Sequence, residues 1–153
     1  MWSPLDRLCG VPLAFCKLHV KRVFLDRAQL LWSHENSCSV SRILWPYLDH
    51  KRTLFLLGLS RERLRNMIEL LTGHCRFGRH ASRLGLSHND YCRICHDIEE
   101  EESITHLLCG CPALENSRQC ILGRLRYDDL RDLSDIALYK LDLFIRKSNW
   151  FTR

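Results

Sequence analysis

The chain has 153 residues, of which 46% are hydrophobic, and it carries nine cysteines and a formal net charge of +5. This length and composition suit about one globular domain and exclude a disordered or low-complexity protein. The longest uninterrupted apolar run, residues 54–59, is far too short to span a membrane, and the first twenty residues lack the pattern of a secretory signal.

Amphipathic helices are predicted throughout the first half of the chain. Apolar residues at helical spacing predict a first helix over residues 15–33, and Pro46 divides residues 40–57 into one or two helical pieces. A clearer helix begins at the N-cap Ser60 and ends at Gly73. The core face of this helix is predicted to carry Leu64, Met67, Ile68 and Leu71.

The second half continues this mainly α pattern. A short helix is predicted over residues 79–84, followed by a turn over residues 87–90 into a cysteine-rich stretch. A further helix is predicted through Leu114, Ile121 and Leu125, and a final helix opens at Ser134. The inward face of the final helix is predicted to carry Ile136, Tyr139, Leu143 and Phe144. The predicted core anchors are Trp32, Trp45 and Trp150.

The cysteine-rich stretch carries the pattern C-x2-C-x10-H-x4-C, formed by Cys92, Cys95, His106 and Cys111. A C-x2-C turn suits tetrahedral Zn²⁺ because its two thiolates converge on one ion, and nine cysteines without a secretory signal predict a reducing, intracellular compartment, the cytoplasm or the nucleus. We therefore predict a structural zinc site, with the run of four glutamates as the exposed loop between its ligand pairs. The competing interpretation is that the cysteines are small buried thiols, and core or incidental roles are predicted for Cys9, Cys16, Cys38, Cys75 and Cys120.

Spacing alone does not decide whether Cys109 or Cys111 is the fourth ligand. On a continuous α-helix, five residues correspond to about 140° of rotation, so His106 and Cys111 would face different directions. Gly110 and Pro112 allow the helix to end and to return Cys111 to the site. Cys109 shares a helical face with His106 without any bend. His96 is predicted to lie on the surface.

Several stretches resemble one known family. "LTGHCRFGRHASRLGL" (71–86), the C-x2-C turn and "THLLCGCPAL" (105–114) are similar to the C-terminal region of the polyprotein of non-LTR, LINE-type retrotransposons, especially Jockey-like elements with an RNase H domain. "LCGVPLAFCK" (8–17), "LLW" (30–32) and "FIRKSNWF" (144–151) extend the resemblance over nearly the whole chain.

The resemblance implies a CCHC zinc knuckle that assists nucleic-acid binding during reverse transcription, and it favours Cys111 over Cys109. It implies a helical region over residues 1–85 that follows a missing RNase H domain, the knuckle over 86–114, and C-terminal helices over 115–153. The expected fold is mainly α, with room for a short hairpin at the metal site. Endonuclease and polymerase segments are missing, and Asp6 and Asp26 are too few for an RNase H metal site, so no enzymatic activity is expected. Asp128 and Asp129 are predicted to lie in a solvated loop.

Charge predicts where a polyanion would bind. Residues 51–91 carry eight Lys or Arg against three Asp or Glu, whereas residues 92–111 carry one against five. RNA or single-stranded DNA is therefore expected to bind, without sequence preference, at the basic residues before the knuckle. The candidate contacts are Arg76, Arg79, His80 and Arg83, with Phe77 and Tyr91 as stacking residues. A second candidate patch comprises Lys51, Arg52, Arg61, Arg63 and Arg65.

Three functions follow from these observations. The first is a zinc-containing, nucleic-acid-binding fragment of a retrotransposon polyprotein, which would also contact the rest of that polyprotein. The second is a zinc-stapled helical scaffold or protein-interaction module without nucleic-acid binding. The third is an enzyme, a cysteine hydrolase or residual nuclease, which a closed site with four protein ligands disfavours.

Overall fold

The structure, a computed structural model, describes residues 10–75, 78–86 and 90–151. These residues are mainly helical, which confirms the predicted fold class. The helices are α1 (Leu13–His34), α2 (Ser39–Leu44), α3 (His50–Leu57), α4 (Arg61–Thr72), α5 (Gly78–Arg83), α6 (Glu115–Leu122) and α7 (Leu138–Ser148). A π-helical turn covers His106–Gly110, and 3₁₀ turns cover Pro112–Leu114 and Leu130–Leu133. The predicted hairpin is reduced to one antiparallel bridge between Tyr91 and Glu101, the only β pairing in these described ranges.

Contacts along the backbone divide the chain into two compact units, residues 1–35 and 36–153. The boundaries predicted after residues 85 and 114 stay predictions. The described part of the first unit is essentially α1, a 22-residue helix with no buried residue. Its two ends match the predicted helix to within two residues. None of the helices in the described part of the chain combines the length and the apolar character that a bilayer crossing needs.

Helices α2 and α3 are the two pieces predicted on either side of Pro46, and α4 begins and ends at its predicted caps. The region around Pro46 separates α2 from α3, and the Ser60 hydroxyl accepts a hydrogen bond from the Arg63 backbone N–H over 3.5 Å. Gly73 ends α4 in the left-handed conformation, with φ of +75°. The predicted core face of α4 is wrong at one residue, because Ile68 is exposed whereas Leu70 is fully buried.

The last two helices differ in extent and in phase from the prediction. Gly123, with φ of +100°, ends α6, so Leu125 lies outside the helix and is exposed. The final helix does not open at Ser134, because the Asp129 carboxylate caps the preceding 3₁₀ turn and α7 begins only at Leu138. Its buried apolar face carries Leu138, Leu141, Phe144 and Ile145, whereas the predicted core residue Tyr139 is exposed. Asp128 and Asp129 lie exposed in a loop, as predicted.

The core of the second unit lies where α4, α6, α7 and the π-helical turn meet. Its fully buried side chains include Met67, Leu70, Leu107, Leu108, Leu133, Phe144 and Trp150. Of the predicted tryptophan anchors, Trp150 is buried, and Trp32 and Trp45 are half-buried. Asp142 of α7 accepts hydrogen bonds from the Nε and Nη2 of Arg63, at 3.1 and 2.6 Å, and this contact ties α7 to α4.

Candidate metal centre

Four side chains from two separate segments converge beside this core. One ligand atom each of Cys92, Cys95, His106 and Cys111 lies within 4.8 Å of the other three. Cys92 and Cys111 are fully buried, His106 is 8% exposed and Cys95 is half-buried. This set of three sulfurs and one imidazole could hold a metal ion.

The distances within the set fit tetrahedral zinc. Zn–S and Zn–N bonds of about 2.3 and 2.0 Å place two sulfurs about 3.8 Å apart and a sulfur about 3.5 Å from a nitrogen at tetrahedral angles. The Sγ atoms of Cys92 and Cys111 are 3.9 Å apart, and Cys95 Sγ lies 3.4 Å from His106 Nε2. The donor chemistry is also that of structural zinc sites, in which four protein ligands close the coordination sphere.

A π-helical turn brings His106 and Cys111 to the same side. In a π-helix the backbone N–H bonds to the carbonyl five residues earlier, and such turns are frequent at functional sites. The Cys111 N–H donates to the His106 carbonyl oxygen over 2.6 Å, which closes a turn of this size. The wider turn removes the 140° misalignment of an α-helix. Cys109 is buried but is not among the four clustered ligands, and burial raises the pKa of its thiol to about 11.

The C-x2-C segment forms a tight turn whose amides point at the sulfurs. The His96 N–H donates to the Cys92 carbonyl oxygen over 2.9 Å, and His96 itself lies exposed with φ of +58°. Backbone hydrogen bonds from Ile94 and Cys95 reach the Cys92 sulfur. Amides so placed stabilise a thiolate, which is the form that binds metal.

Contacts between the thiols shift the pKa values of Cys92 and Cys111 in opposite directions. The hydrogen bond between the Cys92 and Cys111 thiols, together with those backbone amides, lowers the pKa of Cys92 to about 4. The same bond, together with burial, raises the pKa of Cys111. Burial also raises the pKa of Cys95. A divalent cation would stabilise all three thiolates at once.

Two glutamates of the acidic run, Glu100 and Glu102, form side-chain contacts in and beside the site. Glu100 Oε2 lies 3.2 Å from His106 Nδ1, so an Nδ1–H can bond to this carboxylate while Nε2 faces the thiols. Such carboxylate–histidine contacts orient metal-ligating imidazoles. Glu102 departs from the predicted exposed loop, because it is buried and accepts hydrogen bonds from Arg93 Nε at 2.9 Å and Trp150 Nε1 at 2.7 Å.

Three of the predicted nucleic-acid contacts line one cavity. Arg79, His80 and Arg83 of α5 line a cavity of about 330 Å³ whose wall also includes Ser103 and Thr105. Arg79 also forms a salt bridge of 3.2 Å with Glu101, between half-exposed side chains. Tyr91 is half-buried in the β bridge, whereas Arg76 and Phe77 lie outside the described residues.

The face beside His106 and Cys109 is acidic. A cavity of about 580 Å³ there is lined by Asp97, Glu99, Glu100, Glu101 and Asp128, with Arg126 among its few cations. A phosphate would be repelled from this face. The α5 cavity is therefore the better site for a polyanion beside the metal centre.

The second basic patch is partly committed to tertiary contacts. Arg52 donates to the backbone carbonyls of Leu44 and Ser134, at 3.2 and 2.7 Å, and Arg63 pairs with Asp142. Lys51, Arg61 and Arg65 are exposed. None of these five positions lines either of the two cavities described above.

Sequence reasoning missed two buried charged residues of the site. Glu102 was grouped with three exposed glutamates, and Arg118 lay on the predicted helix after Pro112 without any assigned role. Arg118 is fully buried, and desolvation lowers the pKa of its guanidinium while negative charge at Cys111 opposes this effect. Leu114, Arg118 and Leu122 are spaced four residues apart, so they share one face of a helix. This spacing could have indicated that Arg118 is buried together with the two leucines.

Comparison of the chain with known protein families, with curated proteins and with solved structures found no match.

Proposed function

We propose that the chain is a zinc-binding, nucleic-acid-binding C-terminal fragment of a non-LTR retrotransposon polyprotein that engages RNA or single-stranded DNA during reverse transcription. The observation that carries the binding role is the cavity lined by Arg79, His80 and Arg83, whose wall continues along the residues just before the candidate ligand His106. The retrotransposon origin rests on the resemblance of residues 71–114. Its partners would be the nucleic acid and the rest of that polyprotein, in a compartment that keeps the thiols reduced.

The zinc ion has a structural role in this proposal. Three thiolates and one imidazole leave no open coordination position for a substrate, so the centre supports binding and not catalysis. An ion held by Cys92, Cys95, His106 and Cys111 would join the C-x2-C turn to the π-helical turn, two segments more than ten residues apart. Zinc would supply no chemistry beyond this cross-link.

The segment between the two ligand pairs, residues 96–105 (the metal loop), in turn contacts α5. The Arg79 backbone N–H donates to the Glu102 carbonyl oxygen over 3.2 Å, and the Arg79 side chain pairs with Glu101. A loop stabilised by zinc would therefore fix the position of α5. The cations on α5 would contact phosphates, whose affinity depends on salt and little on base sequence.

A second candidate function, a zinc-stapled protein-interaction module, is favoured by α1. This helix has no buried residue and exposes large apolar side chains on several sides. Among them are Leu13, Phe15, Leu18, Phe24, Leu25, Leu30 and Leu31. A contiguous patch of exposed apolar side chains often marks a surface that another protein covers.

Fluorescence anisotropy of a labelled single-stranded RNA, titrated with the zinc-loaded protein across a salt series, tests the proposal. The test variant is Arg79→Gln with Arg83→Gln, and the matched control is Arg131→Gln with Lys147→Gln. The control removes the same net charge from two exposed residues outside the α5 cavity. Each lost phosphate contact is expected to reduce the slope of log affinity against log salt by about 1.

The expected result is salt-dependent binding that weakens in the α5 variant and not in the control. Equal losses in both variants would indicate diffuse charge attraction and would reject the α5 cavity as the site. No binding at low salt by a folded, zinc-loaded protein would reject the nucleic-acid function and leave the interaction module.

A further inference from the structure

The side chain of Arg118 is fully buried in the second unit, on α6 between the metal centre and α7. Removing a guanidinium from water costs several kcal/mol unless an opposite charge compensates for it. A fully buried arginine therefore indicates a nearby negative charge.

The hydrogen-bond partners of Arg118 are all neutral. Its Nε donates to the carbonyl oxygen of Leu125 over 2.7 Å, its Nη1 to that of Leu107 over 3.1 Å, and its Nη2 to that of Cys111 over 2.6 Å. These carbonyls satisfy the N–H groups but leave the positive charge without a counter-ion.

No carboxylate of the described residues lies within salt-bridge distance of Arg118. Glu115, one turn earlier on α6, pairs instead with Arg126 at 2.7 Å. Glu115 therefore attracts Arg118 only from beyond salt-bridge distance and is already paired with Arg126, so a further compensating charge is needed.

The metal centre supplies a charge of the right sign and size. A divalent ion with three thiolates and one neutral imidazole carries a net charge of −1. Two of the three carbonyls bound by Arg118 belong to the segment that carries the ligands, since Leu107 lies in the π-helical turn and Cys111 is itself a candidate ligand.

We propose that Arg118 is the counter-cation of the metal centre: its buried guanidinium balances the single negative charge of the bound ion and, through the Cys111 carbonyl, positions that ligand. The proposal rests on the zinc centre of the proposed function and is independent of nucleic-acid binding. It explains why a cation is buried although no carboxylate of the described residues forms a salt bridge with it.

The test is a titration with Co²⁺, which reports tetrahedral thiolate coordination through its visible absorption, followed by displacement with Zn²⁺. Arg118→Met and Arg118→Gln remove the charge, Arg118→Lys keeps it, and Lys147→Met removes a charge from an exposed position on α7. Losing a group that supports metal ligands typically weakens metal affinity by about 10- to 100-fold. We expect a loss of this size in the Met and Gln variants, and near-normal affinity in the Lys variant and the control.

A second set of variants, made in a protein that carries Cys95→His, separates the effect of the Arg118 charge from the effect of its hydrogen bonds. Cys95→His would turn the centre into a neutral Cys2His2 site while leaving the carbonyls around Arg118 unchanged. If Arg118 balances charge, Arg118→Met should weaken metal binding much less in this background. An equal loss in both backgrounds would overturn the proposal and leave Arg118 as a hydrogen-bonding clamp.

The proposal can still be tested if one of the variants does not fold. If Arg118→Met is unfolded even with metal, the Lys and Gln variants decide, because both retain donors and only Lys retains the charge. Equal affinity of these two would overturn the counter-cation role. Wild-type protein without tetrahedral Co²⁺ binding would overturn the zinc centre itself, whereas lost RNA binding with normal metal titrations would affect only the nucleic-acid function.

Discussion

The indole Nε1 of Trp150 donates a hydrogen bond to Glu102 Oε1 over 2.7 Å, and this bond joins the turn after α7 to the acidic run of the metal loop. Arg93 completes the arrangement, since its Nε donates to the same carboxylate and its Nη2 donates to the Trp150 carbonyl oxygen over 3.1 Å. Both Glu102 and Trp150 are buried. One carboxylate therefore connects the metal loop to the residues that follow the last helix.

Loss of the indole donor should destabilise the second unit. Trp150→Phe leaves the buried Glu102 carboxylate with one partner fewer, which typically costs about 1–3 kcal/mol in the free energy of unfolding. Urea denaturation of the zinc-loaded protein measures this, with Tyr139→Phe at an exposed position of α7 as the control. A loss no larger than that of the control would show that the Trp150–Glu102 bond contributes little.

Gly78 should be far less replaceable than Gly85. Both have a left-handed φ, +62° and +70°, so alanine costs about 1–2 kcal/mol at either position. At Gly78 a Cβ would also lie 2.3 Å from the Glu102 carbonyl oxygen, whereas at Gly85 nothing lies within 4 Å. We expect Gly78→Ala to lower the free energy of unfolding by at least about 1 kcal/mol more than Gly85→Ala. Equal losses in thermal or urea unfolding would contradict the close approach of α5 to the metal loop.

Replacing each of the two rival cysteines should identify the fourth ligand. Cys111→Ser should abolish tight binding of Zn²⁺ in a chelator competition, because it removes one of the four clustered donors. Cys109→Ala should retain it, since Cys109 lies outside the cluster. The reverse pattern would assign the site to Cys109 and would reject the π-helical turn as the element that positions the ligand.

The buried thiol of Cys75 should make stability depend on alkaline pH. Burial, with the charge of Glu69, raises its pKa to about 12 in the folded protein, against about 8.5 for an unfolded cysteine. Above pH 8.5 the unfolded chain loses this proton while the folded chain keeps it, so stability falls as pH rises toward 12. The contribution approaches about 1.4 kcal/mol per pH unit.

Urea unfolding at pH 7 and pH 10 measures this contribution as the difference between wild type and Cys75→Ala. The variant should lose less stability over this interval because it lacks the titrating thiol. Identical pH dependence of the two proteins would mean that Cys75 ionises as readily in the folded chain as in the unfolded one.

Local patterns predicted most of the helices and missed those details that depend on packing. Ser60 and Gly73 bound α4 as predicted, because caps act on the adjacent backbone. The predicted inward face of α7 was right at Phe144 and wrong at Tyr139, because burial depends on the elements that α7 packs against and not on spacing alone. Spacing also predicted α1, although none of its residues is fully buried.

The amino-acid sequence by itself determined which side chains could bind a metal, because the C-x2-C turn and the later His and Cys are set by spacing along the chain. It left Cys109 and Cys111 equivalent on geometry, since a choice between positions two residues apart depends on the backbone turn that carries them. Only the tertiary structure places Cys111, and not Cys109, in the cluster with the other three side chains, through the π-helical turn at His106. It also decided that Glu102 and Arg118 are buried, because burial of a charge depends on partners from distant segments that no local pattern encodes.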